Sequence, residues 1–184
     1  FSGKKVLNFS ILIYDIYPDA LSNFGYVKPH SFLYAFWEKM NKKSYKLASE
    51  VITISSVMKK VIARNIDEDK IKVIYPWVDT SFIKPLKKSE NWFVKKHGLT
   101  DKKVILYSGN MGITHDLMTL METAKELQKI ENNFHFLFIG GGTQKESLQD
   151  FKEKHNLINV SFLPYQDPEV LPFSFASADF GVVS

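Results

Sequence analysis

A chain of 184 residues, 45% hydrophobic and 24% charged, has ordinary globular composition and is long enough for one full domain or two partial ones. It has no cysteine, which excludes a disulfide framework and a thiolate metal site, and no apolar run approaches the ~18 residues that a membrane span needs. A formal net charge of +4 suits anionic small molecules or an anionic membrane surface and is too weak to argue for nucleic acid.

Read in chain order, the sequence alternates strand and helix, which predicts an α/β fold with parallel sheets. The first residues, Phe1-Ser2-Gly3-Lys4-Lys5, lack the long apolar run of a secretory signal, so the sequons at Asn8 and Asn159 read as chance matches. Residues 9–15 are a short apolar strand, broken by Tyr17, Pro18 and Asp19. Phe32, Phe36, Met40 and Leu47 recur at helical spacing and predict a helix over 31–48. A strand at 51–54 follows, then Ser55 and Ser56 as caps of a helix carrying Val57, Val61 and Ile62. The strand at 71–74 is stopped by Pro76, and 76–85, with two prolines, Trp77 and Asp79, reads as a linker between lobes.

The second series begins with a strand at 103–108 and a tight loop at 109–112. Thr114 is the expected cap of a long helix with Leu117, Leu120, Met121, Ala124, Leu127 and Ile130 along one side. The next strand, 134–139, is expected to pair in parallel with a central 104–108. Gly140, Gly141 and Gly142 then lead into a helix around Leu148 and Phe151. A strand at 160–163, a helix over 167–176 interrupted near Pro172, and a strand at 180–183 complete the pass. Both ends read as cut, because a strand pattern lies against each of them.

Ligands of open parallel sheets bind beyond the carboxyl ends of the strands, and three such ends carry suitable residues. In Ser108-Gly109-Asn110-Met111-Gly112 two glycines let the backbone approach a ligand. A helix starting after Thr114 would aim its unpaired N–H groups at a phosphate there, with His115 as a further donor. The competing reading is a tight βα turn with a solvated histidine. Gly140, Gly141 and Gly142 form a second glycine-rich end, without the spacing of a dinucleotide fingerprint. The third end is Pro164-Tyr165-Gln166, where an aromatic ring and an amide suit a base, the alternative being a structural tyrosine. Asp67-Glu68-Asp69 precedes a strand instead of following one, so it reads as a solvated turn and not a cation site. Motifs for zinc hydrolases, serine hydrolases and phosphate-loop ATPases are absent.

Taken together, these pieces resemble glycosyltransferase family 4, the group 1 transferases, and within it the enzymes that build bacterial capsule, O-antigen and exopolysaccharide. The residues that carry the resemblance are Tyr14-Asp15-Ile16-Tyr17-Pro18-Asp19, Ala48-Ser49-Glu50-Val51-Ile52-Thr53-Ile54-Ser55 and Lys70-Ile71-Lys72-Val73-Ile74-Tyr75-Pro76-Trp77-Val78-Asp79. They continue with Tyr107-Ser108-Gly109-Asn110-Met111-Gly112, His115-Asp116-Leu117, Phe138-Ile139-Gly140-Gly141-Gly142, Val160-Ser161-Phe162-Leu163-Pro164-Tyr165 and Ala176-Ser177-Ala178-Asp179.

The resemblance implies a GT-B fold of two Rossmann-like lobes with parallel sheets, both incomplete in this chain. Residues 1–80 would be the later part of the acceptor lobe plus linker, and 81–184 the earlier part of the nucleotide-sugar lobe. It implies a metal-independent transferase, with no cofactor, that retains anomeric configuration. The sugar would pass from a nucleotide diphosphate-sugar, UDP-linked in the first instance, to a lipid-linked or growing glycan. Donor contacts would come from Gly109, Asn110, Met111, Gly112, His115, Gly140, Gly141, Gly142, Tyr165 and Gln166. Two departures stand out: Asn110 and His115 occupy places where many relatives carry Arg and Lys, and Tyr14 stands where many carry a catalytic histidine. The latter moves the expected catalytic role to Asp15. A nucleotide-sugar epimerase using Asp15 and His30, and a non-catalytic truncated subunit, are the competing functions.

Lys39, Lys42, Lys43 and Lys46 fall on one side of the predicted 31–48 helix, beside Phe32, Phe36 and Met40, with Trp37 beyond. That pattern fits either a helix lying on an anionic membrane surface or an ordinary amphipathic helix packed on its sheet. The corresponding location is cytoplasmic, peripheral on the inner face of the cell membrane.

Overall fold

The computed structural model describes residues 8–131 and 133–183, and the chain divides into two compact units, Phe1–Val78 and Asp79–Ser184. In the first unit, strand β1 (Ser10–Ile13) is followed by the short helix α1 (Asp19–Asn23) and the long helix α2 (Phe32–Leu47). Strand β2 (Glu50–Thr53), helix α3 (Ser56–Ile62) and strand β3 (Ile71–Val73) complete it. The strands run parallel in the order β1-β2-β3. Ser31 and Ser55 cap α2 and α3, each hydroxyl accepting from the N–H three residues on, which supplies one of the bonds a helix start lacks. Ile13, Tyr45, Ala48, Val51, Ile62 and Ile71 form the core between sheet and helices.

The second unit opens with helix α4 (Trp92–Lys96), which the periodicity of the sequence does not reveal because it is only five residues long. Asn91 fixes it: wholly buried, its side chain accepts from Phe93 N–H and donates to the Phe173 carbonyl. Strand β4 (Lys103–Asn110), helix α5 (Met118–Ile130), strand β5 (Phe134–Gly141) and helix α6 (Lys145–Lys154) follow. Strand β6 (Val160–Leu163), helix α7 (Leu171–Phe175) and strand β7 (Phe180–Val182) end the described chain. All pairings are parallel, in the order β6-β5-β4-β7, so β4 is an inner strand beside β5 as the sequence predicts.

Strand alternation sorts the core onto two faces. Tyr107, Phe136 and Phe138 join Met121 and Ala124 of α5 and Leu148 of α6 on one side. Val104, Leu106, Leu137 and Ile139 join Phe93 and Val94 of α4 on the other. At the opposite end of the sheet from the glycines, the Asp179 carboxylate accepts from Val104 N–H at 2.6 Å and from the Lys88 ammonium, while Asp179 N–H donates to the Val104 carbonyl.

Three expectations change. Strands β4 and β5 each extend two residues further than predicted, because Gly109 pairs with Gly140 and Asn110 with Gly141, so the expected 109–112 loop begins inside the ladder. Helix α5 starts at Met118, not after Thr114; the Asp116 side chain accepts from Thr119 N–H and Oγ1 and so occupies its first turn. Pro172 lies at the start of α7, and the interruption expected there falls before it, between the Pro168–Val170 turn of 3-10 helix and α7.

Candidate functional site

In the second unit the carboxyl ends of β4, β5 and β6 bring most of the predicted donor residues together. Gly140 and Gly142 both adopt φ of +140°, which an L side chain rarely tolerates. A Cβ on Gly142 would stand 2.5 Å from the Met111 carbonyl oxygen and 2.7 Å from Asn110 Oδ1. The two strand ends are therefore pressed backbone against backbone. Two further bonds lace them: Met111 N–H donates to the Gly141 carbonyl at 2.7 Å, and Gln144 N–H donates to the Met111 carbonyl at 2.9 Å.

Tyr165, after β6, lays its ring against Gly140 and Gly141, 3.4 Å from the Cβ position of each, yet remains 62% exposed. That leaves one aromatic face open to a planar partner, which a tyrosine packed in the core does not have. The Gln166 amide turns back to donate to the Pro164 carbonyl, so one of its two N–H donors is spent within its own turn. Met111 is fully buried among the core side chains, and both of its backbone groups are bonded; it anchors the turn and presents no free group. His115 is half-buried, its ring 6.2 Å edge-on from that of Tyr107, whose hydroxyl donates to the Asn110 carbonyl at 2.7 Å.

Two neighbours escaped the sequence reading. The Gln144 amide donates to the carbonyls of Gly112 and His115, tying the turn between β4 and α5 to the start of α6. The Lys145 ammonium, half-buried, donates to the Gly140 carbonyl at 3.0 Å, placing a cation at the glycine-rich end. The only sequence signal for either was their position in the first turn after three glycines.

Asp15 belongs to the first unit, just past β1, where it is exposed and lines a cavity of about 360 Å³ with Tyr14, Asp19, Asn23 and Arg64, the chain's single arginine. Asp19 also accepts from the Tyr34 hydroxyl at 3.0 Å; burial first, and this carboxylate second, push the Tyr34 phenol above its ordinary range. His30 packs its ring on Tyr34 and does not line the Asp15 cavity. Asp67, Glu68 and Asp69 lie in a 3-10 turn before β3, with Glu68 paired to Lys59 at 3.5 Å. Among the described residues, no group of three or more His, Asp or Glu side chains is placed to hold a metal ion. Asn159 is buried and donates to the Ala124 carbonyl, which rules it out as an accessible sequon.

Parallel sheets flanked by helices, with glycine-lined strand ends beside an exposed aromatic, are features of the Rossmann-like α/β class. Within it, this chain belongs to the glycosyl transferases group 1 family, whose model matches residues 89–184. It is similar to the putative colanic acid biosynthesis glycosyl transferase WcaI of Escherichia coli (strain K12), with 28% identity over 136 residues, 72% of this chain and 33% of that protein. The chain thus spans about a third of the length of the curated relative it matches. Among solved structures it is similar to Anabaena HepE in complex with UDP and glucose, with a TM-score of 0.71 and 15% identity over 95% of this chain and 45% of that one. It is also similar to a variant of S. aureus TarM in complex with fondaparinux, alpha-GlcNAc-glycerol and UDP, with a TM-score of 0.55 and 20% identity over 76% of this chain and 26% of that one. At these identities the two structures speak for the fold.

Proposed function

We propose that the protein of which this chain is part is a retaining, metal-independent glycosyltransferase that moves a sugar from a UDP-linked donor to a lipid-linked or growing glycan. The observation that carries the reading is the convergence of Gly109, Gly112, Gly140, Gly141, His115 and Tyr165 at the carboxyl ends of the second sheet's strands. WcaI is described as acting in colanic acid biosynthesis, and HepE and TarM bind UDP, which supports a nucleotide-sugar donor.

The second unit is the donor lobe in this reading and the first the acceptor lobe. The base stacks on the open face of Tyr165, and the diphosphate lies along the glycine backbone. As the glycosidic bond to the diphosphate breaks, negative charge grows on the leaving oxygen, and fixed donors that need no reorganisation stabilise that charge more than the ground state. His115, the Lys145 ammonium and backbone N–H groups supply them here, where Asn110 and His115 stand in place of the usual Arg and Lys. Asp15 is the candidate catalytic carboxylate on the acceptor side, in a cavity with room for a sugar hydroxyl to reach it.

A membrane surface is the proposed setting. Phe32, Leu33, Phe36, Met40 and Leu47 of α2 are all exposed, Phe32 at 88%, and Lys39, Lys42, Lys43 and Lys46 lie exposed on the adjoining arc. An apolar strip beside a basic one suits anionic headgroups. Among the described residues no helix is long and apolar enough to cross a membrane.

The deciding experiment offers the full-length protein a panel of nucleotide-sugars with and without a lipid-linked glycan acceptor, and reads the anomeric configuration of the product by NMR. Acceptor-dependent consumption of a UDP-sugar with retention is the expected result. Conversion of the donor to its epimer without acceptor would replace this reading with that of an epimerase.

A further inference from the structure

The turn between β4 and α5 is held by a residue from another element. Gln144 sits at the start of α6, and its amide reaches the carbonyl oxygens of Gly112 and of His115, the latter at 2.8 Å. Both partners only accept, so the amide must present its NH2 to them, and the orientation of the carboxamide follows from its neighbours. One side chain, 29 residues distant in sequence from the nearer carbonyl, thereby adds an outside anchor to two peptide planes that the turn's own bonds, His115 N–H to the Gly112 carbonyl and Leu117 N–H to the His115 carbonyl, also hold.

Fixing a carbonyl also fixes the N–H behind it. A trans peptide is planar, with C=O and the following N–H pointing in opposite directions. Holding the Gly112 and His115 carbonyls against Gln144 turns the N–H groups of Ile113 and Asp116 away from it. Neither N–H has a hydrogen-bond partner among the described residues. Ile113 and Asp116 are both exposed, and the Asp116 carboxylate is turned to Thr119. The turn therefore offers two oriented, unspent donors beside His115, while the Lys145 ammonium lies at the Gly140 carbonyl.

We propose that Gln144 is a positioning residue for the donor's diphosphate: it orients the Ile113 and Asp116 N–H groups so that backbone dipoles take over part of the anion binding that a basic side chain would otherwise provide. The proposal rests on the reading of the second unit as a donor lobe. Gln144 touches no reacting atom; it acts through the turn.

The test compares wild type with Gln144→Glu and Gln144→Ala in the full-length protein. Glutamate keeps the shape of the side chain but replaces the NH2 by an acceptor that repels both carbonyls, whereas alanine removes the outside anchor and leaves the carbonyls to the backbone bonds of the turn. Titration calorimetry with UDP and with uridine, together with amide exchange of residues 109–117 and of β4 and β5, separates the possible outcomes. The expected result is UDP binding weakened about tenfold or more by Gln144→Glu, and less by Gln144→Ala. Uridine affinity should hold, and exchange should quicken in the turn alone. Unchanged UDP affinity in both variants, or equal losses for UDP and uridine, would overturn the positioning role while leaving the donor lobe standing. A wild type that binds neither ligand would overturn the donor reading, and this proposal with it.

Discussion

Gly140 meets Gly109 so closely that a Cβ on Gly140 would stand 2.0 Å from the Gly109 carbonyl oxygen. The obstacle is backbone in the middle of a parallel ladder, which has no rotamer to offer, and φ at Gly140 is itself +140°. Gly140→Ala is expected to destabilise the second unit by about 2–4 kcal/mol, from strain and loss of ladder bonds together. Gly181→Ala serves as the control, since nothing lies within 4 Å of a Cβ there. Urea unfolding followed by amide exchange of β5 provides the measurement, and equal midpoints for the two variants would contradict the close approach.

Nucleotide binding is expected to depend on His115 and Tyr165. His115→Ala should weaken UDP binding by about 1.5–3 kcal/mol, the value of a charge-assisted hydrogen bond. Tyr165→Ala should cost about 1–3 kcal/mol, as loss of one stacked base does. Calorimetry with the folded variants checks both. A chelator is expected to leave the affinity unchanged, and a strong requirement for Mg²⁺ would contradict the metal-independent reading.

Acid should weaken the second unit through His135. Burial, and then the charges of Lys102 and Lys152, hold its imidazole down to about 4. The unfolded chain takes up that proton near the ordinary value of about 6.5. Stability is therefore complete above about pH 6.5, falls as the pH drops toward about 4, and is level below that. With allowance for partial exposure the loss is about 2 kcal/mol. His135→Gln should flatten this slope in urea titrations at pH 7.5 and 4.5; a slope identical to wild type would place the acid sensitivity elsewhere.

The membrane setting is tested by sedimentation with vesicles. Full-length protein should be retained by anionic vesicles more than by neutral ones at low salt, and changing Lys39, Lys42, Lys43 and Lys46 together to glutamine should abolish the difference, since each lysine contributes up to about 1 kcal/mol. Equal retention by both vesicle types would leave the exposed face of α2 as a surface for protein contact.

The strands were legible because each is a short apolar run between breakers, and β4 and β5 pair as those runs dictate. Ser31 and Ser55 announced their helices for an equally local reason. What escaped is held by distant partners. The apolar periodicity does not show that the helix after Thr114 is delayed to Met118; its one local mark is Asp116 three residues before Thr119, and the turn before it is also tied to the distant Gln144. Nor do two glycines advertise a strand: the ladder continues through Gly109 and Gly140 because Gly140 lacks the side chain that would strike the Gly109 carbonyl. The glycines and Tyr165 of the candidate site were visible as residue types at strand ends, whereas Gln144 and Lys145 matter through contacts that spacing alone does not encode.

The clamp at the far end of the second sheet bears on synthesis. One edge of β4 is filled by β7, and the Asp179 carboxylate bonds Val104 N–H and Lys88, so residues from both ends of the unit must be present before that edge closes. A ribosome delivers Lys103–Asn110 some 70 residues before Phe180–Val182, leaving about seven seconds at ~10 residues per second in which an inner strand presents an unpaired flank. Nascent chains are vulnerable to edge-to-edge association during that interval, and a chaperone that shields β4 until residue 182 has emerged would raise the yield of folded protein without changing its final stability.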